Sequence, residues 1–89
     1  MCTYATVHIP IEASAKGPNS TWFRTKEATV YFDHPVHASA EHTLNIDLPA
    51  PAHGPAARVA IEMTGESARA LVEAIQAALA SAPPELTVA

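Results

Sequence analysis

At Gly65 the spacing of the apolar residues changes from every second position to every third or fourth, and no other feature of the sequence constrains the fold as strongly. Before that point, Ala5, Val7, Ile9 and Ile11 fall on one side of a first stretch, Thr3 to Ile11, with Cys2, Tyr4, Thr6 and His8 on the other. Val30 and Phe32 alternate with Thr29, Tyr31 and Asp33; Leu44, Ile46 and Leu48 with Thr43, Asn45 and Asp47; and Ala57, Val59, Ile61 and Met63 with Arg58, Ala60 and Glu62. Such runs predict half-buried strands. Beyond Gly65, Ala68, Leu71, Val72, Ile75, Ala78, Leu79 and Ala82 form one apolar stripe at helical spacing. Thr64 is placed to cap that helix, Glu66 to meet the positive end of its dipole, and Pro83-Pro84 to stop it. Strands and a helix with one apolar face each bury those faces by stacking. The predicted class is therefore α+β, a small antiparallel sheet of three to five strands with one C-terminal helix packed on its apolar face, residues 1–89 forming a single domain.

Between these elements, Ala13 to Thr21 is small, polar and broken by Gly17 and Pro18, which predicts a surface loop. Trp22 to Arg24 predicts a short strand, followed by a turn at Thr25 to Glu27. Pro49 to Pro55 reads as a proline-stiffened connection. The tail from Glu85 to Ala89 is expected either to fray or to add a short strand.

The apolar share of 48% overstates the core, because 19 of the 89 residues are alanine. A chain of this length buries only roughly 60% of the surface it exposes when unfolded. A homodimer is the expected state, since a second copy supplies the missing burial. Nine acidic and five basic residues give a net charge of −4, and Lys16, Arg24, Lys26, Arg58 and Arg69 are scattered. No basic stripe for nucleic acid results. No run is long and apolar enough for a membrane span, and the first residues lack a signal-peptide pattern. With one cysteine there is no internal disulfide, so the expected compartment is the cytoplasm, and Asn19-Ser20-Thr21 is a chance sequon there.

The chemistry concentrates between the second and third strong strand signals, in His34-Pro-Val-His37-Ala-Ser-Ala-Glu-His42. If the apolar faces of the two strands coincide, Phe32 stands opposite Leu44 and Val30 opposite Ile46, and the same register sets His34 against His42. Folding His37 back toward that pair brings three imidazoles to the rim of the core. They suit a divalent metal, with Zn(II), Fe(II), Mn(II) and Cu(II) all compatible, and Cys2 or Asp33 as further ligands. No organic cofactor is indicated. The ordinary alternative leaves His34 and His42 bonded to backbone or to each other, with His37 in solvent. Parity sends Asp33 to the opposite face with Thr43, Asn45 and Asp47, where Cys2, Tyr4, His8 and Tyr31 are also expected. That face, rich in Tyr and Thr and poor in charge apart from Arg58 and Glu62, is the one expected to meet another chain or a ligand. Tyr4 and Tyr31 are the candidate proton donors.

Other candidates carry less. Cys2 with His8 or His34 fits a thiol nucleophile, although a packed terminal cysteine is the commoner use. Trp22, Phe23, Tyr31 and Phe32 serve packing before they serve a pocket. Glu41 and Asp47 are candidate acceptors for an imidazole N–H. His53 is expected in an exposed loop, and Lys16-Gly17 lacks the spacing of a phosphate loop.

Several of these stretches recur together: the start Met1-Cys2-Thr3-Tyr4, Lys16-Gly17, Trp22-Phe23, the run ATVYFDHPVHASAEHTLN from Ala28 to Asn45 continued by Ile46-Asp47, Gly54-Pro55, and Ala57 to Ala60 leading into Glu66 to Arg69. In this combination the chain resembles a family of small actinobacterial proteins of about this length, known as a domain of unknown function. The resemblance implies a bacterial cytosolic protein, which the high alanine and low lysine content fit. The function expected from the residues is a histidine-based divalent-metal-binding protein that binds or acts on a small organic molecule. The alternative is a metal-free homodimeric ligand-binding or scaffolding module.

Overall fold

The computed structural model describes residues 4–50, 54 and 57–88. Four strands, β1 (Thr6–Lys16), β2 (Trp22–Asp33), β3 (Thr43–Pro49) and β4 (Arg58–Met63), form one antiparallel sheet in the order β1-β2-β3-β4. One helix, α1 (Gly65–Ser81), follows, and then a 3-10 turn at Pro84–Leu86. The architecture is α+β, as the two periods predict. Its described tail forms a turn rather than a strand: the N–H groups of Leu86 and Thr87 donate to the carbonyls of Pro83 and Pro84, a turn that proline at its start favours.

Register follows the apolar pattern. Phe32 pairs with Leu44 and Val30 with Ile46, so the apolar residues line up in rows across the sheet, Val7–Val30–Ile46–Ile61 and Phe32–Leu44–Met63. The other face carries the rows Thr6–Tyr31–Asn45–Glu62 and His8–Thr29–Asp47–Ala60.

Two expectations fail in the first hairpin. The stretch from Ala13 is not loop, because β1 continues to Lys16, and Thr25 to Glu27 is not a turn, because β2 runs unbroken from Trp22. A bulge explains both. Pro10 pairs with Glu27 but Ala13 with Thr25, so Ile11 and Glu12 oppose Lys26 alone, and the alternation resets while the pairing goes on. The buried Thr25 hydroxyl donates to the Glu27 carbonyl beside the bulge at 3.1 Å. The hairpin closes at Gly17, whose N–H donates to the Thr21 carbonyl, with Asn19 and Ser20 in the left-handed region at φ 62° and 58°.

Helix α1 starts as its sequence requires. The Thr64 hydroxyl accepts the Ser67 N–H at 3.1 Å, and the Ala82 N–H closes the other end on the Leu79 carbonyl. Gly65 stands beside the ring of Phe32 on the apolar side of the sheet, and the helix touches β3. None of its residues is buried, however, and the apolar side chains buried among the described residues are Ala28 and Ala50. No helix among the described residues is long and apolar enough to cross a membrane.

Candidate functional site

The β2–β3 register carries His34 to His42, as the coincidence of apolar faces predicts, and their ring centroids lie 4.4 Å apart. His42 stacks on Phe32 at 5.8 Å with the planes 10° apart, which places the pair at the end of the apolar face. His34 Nδ1 lies 3.0 Å from the Glu41 carbonyl oxygen. A carbonyl only accepts, so Nδ1 carries the proton and Nε2 is left as the free nitrogen of the neutral ring. The acceptor at Glu41 is thus its backbone rather than its carboxylate. His42 Nε2 is buried and has no hydrogen-bond partner.

His37 takes a different position. The loop from His34 to His42 is drawn over the polar face by Glu62, whose carboxylate accepts the N–H groups of Val36, of His37 at 3.1 Å and of Ala38 at 2.9 Å. Three successive amides make a cradle for a negative charge. They hold the Glu62 carboxyl below its ordinary range, the Val36 N–H contributing most and the Ala38 N–H next. At the start of the loop, Asp33 Oδ1 accepts the His34 N–H at 2.7 Å. Asp33 itself pairs with Thr43 on the polar face, as parity predicts. On that face Thr43 and Asn45 are buried, and the Thr43 hydroxyl donates to Asn45 Oδ1 at 2.7 Å.

Together the loop and the sheet form an open cleft of about 500 Å³ lined by Tyr31, His37, Asn45, Asp47, Arg58 and Glu62 among others. The Tyr31 hydroxyl donates to Asp47 Oδ2 at 3.3 Å, and Arg58 Nε lies 3.6 Å from Asp47 Oδ1. Burial raises the Tyr31 phenol above its ordinary pKa, and the negative Asp47 raises it further against the opposing charge of Arg58. At neutral pH the cleft therefore presents a protonated phenol, a guanidinium and two occupied carboxylates. Such a set binds polar groups by hydrogen bonds and favours no single charge.

The structure thus brings together two of the proposed metal ligands, His34 and His42, and puts His37 in the cleft. Among the described residues no three His, Cys, Asp or Glu side chains gather as a metal-binding group. Cys2 and His53 lie outside the described residues. Contrary to the parity expectation, Tyr4 does not join Tyr31 and His8 on the polar face but packs edge-on against Phe32 at 5.7 Å and lies 6.3 Å from His42. The reason is local, since β1 begins at Thr6 and its alternation does not govern the residues before it. His8 does lie on the polar face, with Nδ1 3.0 Å from the Thr29 hydroxyl. Sequence reasoning gave no role to Glu62 or Arg58. Their parity with Asn45 and Asp47 was visible, but the loop that makes Glu62 an anchor was not.

No curated protein and no solved structure matches the chain. A family model does, over residues 1–88, and the chain belongs to the family of unknown function DUF6295.

Proposed function

We propose that this protein is a small-molecule-binding module whose site is the cleft between the polar face of the sheet and the loop from His34 to His42. The observation that carries this reading is the convergence of Tyr31, Asp47 and Arg58 beside a loop fastened by Glu62. Polar groups of both hydrogen-bonding senses in a preformed concavity suit a small hydroxylated or amine-bearing organic compound. The raised pKa of Tyr31 keeps its proton in place at neutral pH, so it serves the site as a hydrogen-bond donor. A cytoplasmic, actinobacterial setting fits the composition of the chain. The test is a ¹H–¹⁵N NMR titration of labelled protein with small hydroxylated and amine-bearing compounds. Shifts should cluster at Tyr31, Asn45, Ala60 and Glu62 and weaken in Arg58→Ala. Shifts confined to α1, or none at millimolar compound, would remove the proposal.

A second reading is favoured by the unpartnered, buried Nε2 of His42 beside His34. A ligand imidazole ordinarily gives its other N–H to a carbonyl, as His34 does with Glu41. Two imidazoles with open positions would hold Zn(II), Fe(II), Mn(II) or Cu(II), with further ligands from elsewhere. Elemental mass spectrometry on untagged protein should find stoichiometric metal that His42→Ala loses. Metal at background after incubation with each of the four ions would end this reading.

A further inference from the structure

The described fold leaves its apolar surfaces open, and the opening has a measurable size. The chain exposes 6879 Å² of surface. A compact monomer of 9.4 kDa exposes about 5,000 Å², so about 1,900 Å² per chain is in excess. Its radius of gyration, 14.6 Å, exceeds the value of about 12 Å for a compact domain of this length. The excess is apolar where it counts. Leu71, Val72, Ile75 and Leu79 on α1 are 41%, 53%, 51% and 54% exposed, and Val7 and Ile61 at the two edges of the apolar row remain 49% and 41% exposed. The helix leaves this stripe uncovered although it touches β3. One residue, Thr64, joins β4 to α1, and its side chain caps the helix.

We infer that the apolar face of the sheet and the apolar stripe of α1 are covered together by the same surface of a second copy of this chain. The area agrees: obligate dimers bury about 1,000 to 2,500 Å² per partner, which brackets the excess. Charge agrees as well. The cross-sheet row from Val7 to Ile61 and the four exposed helix residues are all uncharged, so two chains of net charge −4 meet there without opposing like charges. Edge pairing is disfavoured, because edge strand β1 carries Pro10 and the bulge and β4 is only 6 residues long. This interface is not the Tyr- and Thr-rich face expected to meet another chain or a ligand, since that face holds the cleft and the loop. The inference is independent of what the cleft binds.

The test combines sedimentation with isotope-filtered NMR on a mixture of labelled and unlabelled full chain. The expected mass is twice 9.4 kDa. Intermolecular NOEs should connect the methyl groups of Leu71, Ile75, Leu79, Ile61 and Val7 across copies. Ile75→Arg should lose both the dimer and cooperative unfolding, while Val36→Arg, at a loop position that is almost fully exposed, should keep the dimer mass. A cooperatively folded monomer of 9.4 kDa overturns the inference, as do intermolecular NOEs at Tyr31 and Thr29 or an Ile75→Arg variant that stays dimeric.

Discussion

The carboxylate of Glu62 accepts from three successive backbone N–H groups while standing on a strand 24 to 26 residues away from them. Removing its charge should therefore loosen the loop rather than the sheet. In Glu62→Gln the amides of Val36, His37 and Ala38 should exchange faster with solvent, with the β3–β4 amides unchanged, as hydrogen exchange followed by NMR would read. Acid should do the same. The native carboxyl has a lowered pKa, so its stabilising effect is complete above the ordinary glutamate range and is lost as pH falls through the native value. The three amides should lose protection together on acidification, and loss of protection on raising the pH instead would contradict the assignment. Thr43 offers a second case. Thr43→Val leaves the buried Asn45 oxygen without its donor, at a cost of about 1–3 kcal/mol in urea unfolding, and Thr43→Ser should recover most of it. Of these residue-level facts the sequence showed the His34–His42 approach, because an uninterrupted hairpin preserves parity. It did not show the Glu62 anchor or the position of Tyr4, both of which depend on chain outside a regular strand.

At the scale of elements, helix α1 draws little from packing, since none of its residues is buried. Its local signals carry correspondingly more weight. Thr64→Ala removes the hydroxyl that accepts the Ser67 N–H and should cost about 1 kcal/mol, read as a lowered urea midpoint at fixed protein concentration. A shift near zero would mean that tertiary contacts hold the helix start. The strands show the opposite balance. Their composition marks β2, β3 and β4, but it does not show the full length of β1 or of the first half of β2, since a bulge at Ile11 and Glu12 breaks the alternation without breaking the pairing. Period-two patterns report which face a side chain takes, and a bulge changes the face while leaving the hydrogen-bonded ladder in place.

At the scale of the whole molecule, the few buried apolar side chains among the described residues are alanines, which do not stabilise a chain of 89 residues by themselves. The inferred dimer would couple folding to association. For a folded dimer in equilibrium with unfolded chains, tenfold dilution should lower the apparent unfolding free energy by about 1.4 kcal/mol per dimer, moving the denaturant midpoint with it. A midpoint independent of protein concentration would indicate a chain stable alone. The small number of large apolar residues already pointed to association. The face inferred for it was not legible, because the sequence pattern assigns the apolar face to the protein's own helix.

By itself the sequence determined the period of each element, the cap and stop of the helix, and the register that sets His34 beside His42. These depend on neighbours along one strand, one helix or one hairpin, where spacing is geometry. Only the tertiary structure decided where the loop lies, that Glu62 holds it, that His37 joins the cleft instead of the histidine pair, and that α1 leaves its stripe open. Those outcomes turn on loop conformation and on the angle at which the helix departs the sheet. Neither is written in hydrophobic spacing, since several loop paths and helix directions satisfy the same pattern equally well.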